Sequence, residues 1–155
     1  MGTIVHDTFV LERNWPKPVA KVFAALADPA KKRRWYAESD TSALENFEME
    51  FRPGGFERVA YRMGTSTPFP GTLLDTEGRH EAIVENRRVV ISSTMRLGGN
   101  PISTALVSFE LEEADGGTRL IFTHQAAFYE HADGPAMRRG GWEKLLAQLA
   151  ASLED

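Results

Sequence analysis

The last stretch of the chain reads Gly141-Trp142-Glu143-Lys144-Leu145-Leu146-Ala147-Gln148-Leu149-Ala150-Ala151-Ser152-Leu153. Its large apolar side chains recur at i, i+3, i+4, i+7 and i+11, which is the spacing of one face of an α-helix. The Gly134-Pro135 pair marks the start of this helix, because proline fits the first helical turn. A helix with one apolar face must bury that face against another element of the fold.

Strand patterns fill the middle of the chain, upstream of this helix. Phe47, Met49 and Phe51 alternate with charged residues, as in a strand with one buried face. A Pro53-Gly54-Gly55 turn follows, and a second alternating run, 59–63, completes a predicted hairpin. Further strands are predicted over residues 80–84, 89–95, 103–112 and 118–126.

The N-terminal part combines one strand with two short helices. Residues 8–15 show strand alternation, and 19–26 carry a helical apolar stripe that ends before Asp28-Pro29. A short helix is predicted over 30–36. The order is therefore strand, two helices, about six strands and one long helix. Strands in series without intervening helices predict an antiparallel sheet in an α+β fold, with Trp142 and Leu146 buried between sheet and helix.

Two polar segments receive an interpretation of their own. Gly64 to Gly78 is rich in Thr, Ser, Pro and Gly and is interpreted as a long mobile loop that controls access to a pocket. The basic cluster Lys31-Lys32-Arg33-Arg34 is interpreted as a solvated helix face rather than a phosphate-binding patch.

Length and composition narrow the class of protein. The 155 residues fit one domain, 1–155, since domains commonly have ~100–150 residues. The chain has no cysteine, which excludes disulfides and thiolate metal sites. Its net charge of −4 disfavours nucleic-acid binding. No apolar run approaches the ~20 residues of a membrane helix, and no signal peptide is recognised near the N-terminus. We therefore expect a cytoplasmic protein.

Several motifs, taken in order, resemble those of a known superfamily. They are Pro18-x-x-x-Val22-Phe23-x-x-Leu26-x-Asp28-Pro29, Arg34-Trp35-Tyr36, Phe51-Arg52-Pro53-Gly54-Gly55, Glu85-x-x-Arg88-Val89-Val90, Gly117-Thr118-Arg119-Leu120 with Thr123-His124, and Gly141-Trp142-x-x-x-Leu146-x-x-Leu149. The chain resembles the Bet v 1-like or START-like (SRPBCC) proteins. Within them it is most similar to single-domain bacterial relatives of the activator of heat-shock protein 90 ATPase (AHSA-type).

This resemblance implies a helix-grip fold, in which a curved antiparallel sheet of about seven strands wraps around the long C-terminal helix. It also implies a hydrophobic cavity between the two. Members of the superfamily bind lipids, sterols or polyketides, act as cyclases, or serve as co-chaperones, and a shared fold does not decide among these roles.

Two polar residues are candidates for chemistry in such a cavity. His124 shares a strand side with Leu120 and Phe122, so it would be an acid–base group if that side faces the cavity. The alternative is a structural histidine. Arg13 interrupts the apolar side of the first strand. It would hold an anionic group of a ligand or pair with a nearby glutamate.

Metal, nucleophile and nucleotide-cofactor motifs are absent from the sequence, so we expect no metal and no cofactor. Aromatic and methionine side chains on the predicted inward faces would instead line a cavity for a small hydrophobic ligand. The predicted ligand-binding residues are Phe51, Tyr61, Met63, Met95, Phe109, Phe122, His124, Phe128, Trp142 and Leu146.

The sequence therefore favours a binding protein for a hydrophobic, lipid-like or polyketide-like molecule over an enzyme. Two alternatives are a polyketide cyclase-like enzyme that uses His124 or Arg13, and a co-chaperone-like interaction module. A homodimer is left open.

Overall fold

A seven-stranded antiparallel sheet and three α-helices make up the protein, whose computed structural model describes residues 3–154. The strands are β1 (Val5–Trp15), β2 (Ser42–Met49), β3 (Phe56–Met63), β4 (Leu73–Val84), β5 (Arg88–Leu97), β6 (Asn100–Ala114) and β7 (Gly117–Phe128). The helices are α1 (Val19–Ala27), α2 (Pro29–Lys32), which continues into a π-helical turn (Arg33–Ala37), and α3 (Pro135–Ser152).

The strand order in the sheet is β1-β7-β6-β5-β4-β3-β2, and every pair is antiparallel. Six strands thus follow the chain order, and β1 closes the far edge beside β7. The sheet curves around α3, and α1 and α2 cover the same side. This is the helix-grip α+β fold, so the predicted fold is confirmed.

Hairpin geometry fixes the register of the longest strands. Ala114 pairs with Gly117 at the β6–β7 turn, and the two residues between them, Asp115 and Gly116, both have positive φ (49° and 79°). Two left-handed residues give the turn twist that matches antiparallel strands. The resulting register places Phe109 opposite Phe122 on the buried face.

The predicted loop from Gly64 to Gly78 is too long, because β4 already begins at Leu73. Gly78 belongs to this strand and pairs with Ser93 of β5. A Cβ at residue 78 would come within 2.3 Å of the Ser92 carbonyl oxygen, so the glycine permits close strand approach. Pairing with two neighbouring strands supplies backbone hydrogen bonds that the Thr- and Gly-rich sequence does not signal. The loop between β3 and β4 covers residues 64–72.

The predicted hairpin strand that included Phe51 is also shifted, because β2 ends at Met49. Phe51 lies beyond the strand and packs edge-on against Phe23 of α1, with ring centroids 5.7 Å apart. Its ring therefore joins the core near the N-terminal helices rather than the face of β2.

The apolar stripe of α3 supplies the contact between helix and sheet. Leu146 and Leu149 have no exposed surface, and Leu153 is 3% exposed. Trp142 is only partly buried, which corrects the expectation that it is fully covered. Within residues 3–154, no helix is long and apolar enough to cross a membrane.

We predict that Leu146→Ala lowers the free energy of unfolding by about 2–5 kcal/mol, because it removes a fully buried side chain and leaves a void. Urea denaturation measures this loss. The matched control is Glu143→Ala, an exposed residue of the same helix, which should change the free energy by less than about 0.5 kcal/mol. Equal effects of the two substitutions would contradict the observed packing of α3.

Candidate functional site

A cavity of about 680 Å³ lies between the sheet and the N-terminal half of α3. Strands β3, β4 and β5 contribute alternate residues to its wall, since every second side chain of a strand points to the same face. Strand β6 contributes five residues and β7 contributes His124. The helix contributes Met137, Arg138, Gly141, Trp142 and Leu145. Most of the wall is apolar, and a few polar groups lie within it.

Six of the ten residues predicted to bind a ligand line this cavity. Their side chains come from four different strands and from α3, so only the tertiary structure brings them together. They are Tyr61, Met63, Met95, Phe109, His124 and Trp142.

The other four predicted residues lie outside the cavity wall. Phe122 is covered by Trp142, whose ring centroid is 4.4 Å away, and it has no exposed surface. Leu146 lies one turn further along α3, where the helix contacts the sheet directly. Phe128 is beneath the Arg138 guanidinium, and Phe51 packs against Phe23 and the His80 ring. All four belong to the hydrophobic core or its margin.

One end of the cavity contains a buried ion pair. Lys32 Nζ lies 2.6 Å from Glu57 Oε1, and the two side chains are 3% and 7% exposed. His80 Nε2 lies 3.6 Å from the same oxygen, while His80 Nδ1 donates to the Gly55 carbonyl oxygen at 3.0 Å. Burial alone would raise the pKa of Glu57, but the adjacent Lys32 and His80 outweigh it and lower that pKa. The carboxylate is therefore ionised, and its Oε1 is paired with Lys32.

The burial of Lys32 corrects the interpretation of the basic cluster as a solvated face. Lys31, Arg33 and Arg34 are exposed as expected, whereas Lys32 is 2% exposed. The reason is its partner, Glu57, which the sheet brings under α2 from 25 residues away. Lys32 Nζ also lies 4.8 Å from the centre of the Tyr36 ring, a cation–π contact.

Two tyrosines add polar groups to the same end of the cavity. The Tyr61 hydroxyl donates to the Tyr36 carbonyl oxygen at 3.2 Å. Burial raises the pKa of Tyr61 to about 12. Burial, with a contribution from Glu57, raises the pKa of Tyr36 well above its usual value. Both phenols are neutral near pH 7, so they are hydrogen-bonding groups and not anions.

The part of the cavity near the start of α3 is organised around Arg138. Its Nε and Nη2 donate to Asp133 Oδ2 and Oδ1 at 2.9 and 2.7 Å, and Nη2 also donates to Ser103 Oγ at 2.9 Å. The guanidinium lies over the Phe128 ring, 5.0 Å from its centre. Arg138 is 6% exposed, so a cation is held inside an otherwise apolar wall.

His124 of β7 lies near this part of the cavity and is 1% exposed. Its ring stacks on Phe9, with centroids 4.8 Å apart and planes 13° from parallel. Its Nδ1 has no hydrogen-bond partner among residues 3–154. Burial, followed by the positive charge of Arg138, lowers the pKa of His124 to about 4. At neutral pH the cavity therefore contains an uncharged imidazole with a free nitrogen.

Arg13 lies away from the cavity. It is on edge strand β1, and its Nη1 donates to the backbone carbonyl oxygen of Glu12 at 2.7 Å. Its partner is thus a backbone carbonyl and not a carboxylate, and Arg13 does not line the cavity.

The cavity wall includes three charged residues that were not predicted from the sequence, namely Lys32, Glu57 and Arg138. The position of Arg138 in the sequence indicates that its side chain faces inward, because it precedes Trp142 by four residues and so extends the apolar stripe of α3 by one turn. A charged residue on that stripe must be buried with a partner. Glu57 gives a similar signal, since it alternates with Val59 and Tyr61 on the inward face of β3.

The sheet that grips α3 and the cavity between them define a helix-grip protein of the Bet v 1-like, or START-like, class. Residues 16–154 match the model of the family described as Activator of Hsp90 ATPase homolog 1-like protein, and the chain belongs to this family. A comparison of the sequence with curated proteins gives no significant match.

Solved structures of similar proteins have the same fold. A protein from Rhizobium leguminosarum is 32% identical, with a TM-score of 0.91 over 99% of this chain and 98% of its own. Mll3558 from Rhizobium loti is 34% identical, with a TM-score of 0.86 over 97% and 99% of the two chains. DynU16, a protein of the dynemicin biosynthetic locus, is 21% identical, with a TM-score of 0.64 over 96% of this chain and 47% of its own.

We predict that the imidazole of His124 titrates near pH 4, as measured by NMR of its C2 proton. The unfolded chain binds this proton near pH 6.5, so stability should fall as the pH decreases from about 6.5 to about 4. The urea midpoint of His124→Gln should vary less over this range. His131→Asn, at an exposed histidine with positive φ, should keep the parent's dependence. A His124 titration at pH 6 or above would contradict the prediction.

Proposed function

We propose that this protein binds a small hydrophobic molecule between the sheet and α3. The observation that carries the proposal is the cavity of about 680 Å³ with a mainly apolar wall. Ligand-binding cavities in proteins are typically about 300–1,000 Å³ and combine apolar walls with a few directed polar groups. The membership of the chain in a helix-grip family also supports a ligand-binding role.

The side chains of the wall suit a flat or elongated apolar ligand. Phe109 and Trp142 present aromatic rings, with centroids 6.0 Å apart, on one side. Met63 and Met95 line the cavity from β3 and β5, and methionine adapts its shape to irregular ligands. Such walls discriminate among ligands by shape and polarity more than by directed hydrogen bonds.

The cavity meets solvent between the loop 64–72 and the start of α3. Phe69 of this loop and Met137 of α3 both line the cavity, yet they are 49% and 66% exposed. Large apolar side chains at a cavity mouth would contact a ligand as it enters. In this proposal the loop 64–72 acts as the lid, with Phe69 as its apolar contact.

The proposal is tested with a substitution that fills part of the cavity with a larger side chain. Ala105 of β6 lines it, and the next residue, Leu106, points to the outer face of the same strand. We predict that Ala105→Phe weakens binding of the fluorescent apolar probe N-phenyl-1-naphthylamine at least about tenfold, since the new ring occupies ligand space.

The matched control is Leu106→Phe, which should bind the probe like the parent. Circular dichroism and the urea midpoint establish that both variants are folded. If the parent protein does not bind the probe, or if Ala105→Phe binds it as tightly as the parent, the proposed function is wrong.

A polyketide cyclase-like activity is the second candidate, and the free Nδ1 of His124 favours it. A neutral imidazole in a cavity can accept a proton from a bound molecule, an effect usually worth about 10²–10⁴-fold in rate. DynU16 belongs to a biosynthetic locus, but at its level of identity the likeness extends only to the fold. The alternative that used Arg13 is not retained, because Arg13 lies outside the cavity.

Native mass spectrometry of the protein purified from its host would identify a retained ligand. We expect the parent protein to return that ligand chemically unchanged. If the parent converts it, and His124→Gln still binds it but converts it a hundredfold more slowly, the protein is an enzyme and our first proposal is wrong. Three further predictions from the sequence stay predictions, because the cavity does not test them. They are the co-chaperone alternative, a homodimer and a cytoplasmic location.

A further inference from the structure

We propose that the hydrophobic ligand carries a carboxylate at one end, and that Arg138 binds this group inside the cavity. The inference rests on the proposed function and adds the chemical class of the ligand, an apolar acid. It starts from the position of a guanidinium on the wall of an otherwise apolar space.

Arg138 has donors left after its protein contacts are made. Asp133 accepts from Nε and Nη2, and Ser103 and Met95 Sδ also accept from Nη2. Among the described residues, Nη1 has no hydrogen-bond acceptor. A guanidinium with a free Nη1 can bind a carboxylate oxygen through a short, charge-assisted hydrogen bond.

Asp133 pairs with Arg138 and lines the cavity beside it. The Asp133 side chain is 27% exposed, against 7% for Arg138, so the carboxylate is the less buried member of the pair. Water screens the exposed partner more effectively than the buried one. The wall near Arg138 therefore attracts an anion.

Neighbouring groups complete a site for two carboxylate oxygens. Ser103 Oγ accepts from Arg138, which leaves its own proton free to be donated. His124 lies against the same Phe128 ring as Arg138, with ring centroids 6.4 Å apart, and its Nδ1 is unpartnered. In the tautomer with hydrogen on Nδ1, this histidine donates to the second oxygen.

The ion pair between Lys32 and Glu57 does not offer an equivalent site. Lys32 is 2.6 Å from Glu57, and both side chains are more than nine-tenths buried. The two charges thus compensate each other, and the ammonium also lies over the Tyr36 ring. The carboxylate of the ligand is therefore placed beside Arg138, and its apolar body extends toward Trp142 and Phe109.

The experiment compares two ligands that differ only in the head group. Decanoate and 1-decanol are used to displace N-phenyl-1-naphthylamine at pH 7.5, below any micelle concentration. Burial of an unpaired carboxylate is costly, so a purely apolar cavity would prefer the alcohol. We expect the parent protein to bind decanoate at least about tenfold more tightly than 1-decanol.

Two substitutions should shift this preference in opposite directions. Arg138→Gln should weaken decanoate at least about tenfold and leave 1-decanol within about twofold. Asp133→Asn removes the competing anion but keeps the guanidinium, so it should tighten decanoate and leave 1-decanol unchanged. The matched control is Arg139→Gln, at the exposed neighbouring arginine of α3, which should behave like the parent.

The inference is overturned if the parent binds both ligands equally, if Arg138→Gln weakens both to the same extent, or if Asp133→Asn weakens decanoate. Should Arg138→Gln fail to fold by circular dichroism, the Asp133→Asn result decides. If the probe binds and only 1-decanol displaces it, the carboxylate is wrong but the proposed function stands. If the probe does not bind at all, the proposed function is wrong and this inference fails with it.

Discussion

Contact between α3 and the concave face of the sheet is the constraint on which the structure depends. The C-terminal half of the helix is fixed by Leu146 and Leu149, which have no exposed surface. Nearer the N-terminus of the helix, the Trp142 ring packs on Phe122, with centroids 4.4 Å apart, and borders the cavity. One helix therefore forms the core at one end and the cavity wall at the other.

Gly141 shows how the helix accommodates the cavity. Glycine within a helix costs roughly 1 kcal/mol relative to alanine. Gly141 nevertheless lines the cavity, and a Cβ at this position would meet open space. The residue therefore enlarges the cavity beside Trp142 without relieving any clash.

The cavity wall contains two ion pairs that differ in how deeply their members are buried. A buried ion pair contributes little net stability, because desolvation offsets the attraction between its members. The Lys32–Glu57 and Arg138–Asp133 pairs differ in this respect: both members of the first are buried, whereas Asp133 reaches solvent. The first pair joins α2 to the sheet and is satisfied internally. The second keeps an incompletely neutralised cation on the wall, beside a neutral imidazole that burial prevents from protonating near pH 7.

The local periodicity of apolar residues was sufficient to predict most of the fold. Alternation predicted the strands, and the stripe from Trp142 to Leu153 predicted α3, because each pattern reflects which face of an element is buried. The same rules failed where the signal was not local. Residues 73–78 looked like loop since their composition is polar and Gly78 is a poor strand former, yet two neighbouring strands pair with them.

Local patterns in the sequence are enough to predict the α+β class, the order of the elements, the family resemblance and the inward side of most strands. Packing in the folded protein decided which inward residues border a cavity and which fill the core, as the separation of Phe109 from Phe122 illustrates. It also decided that Lys32 and Arg138 are buried. The physical reason is that burial of a charge depends on a partner and on packing, and for Lys32 that partner, Glu57, lies far along the chain and meets it only when the sheet has formed.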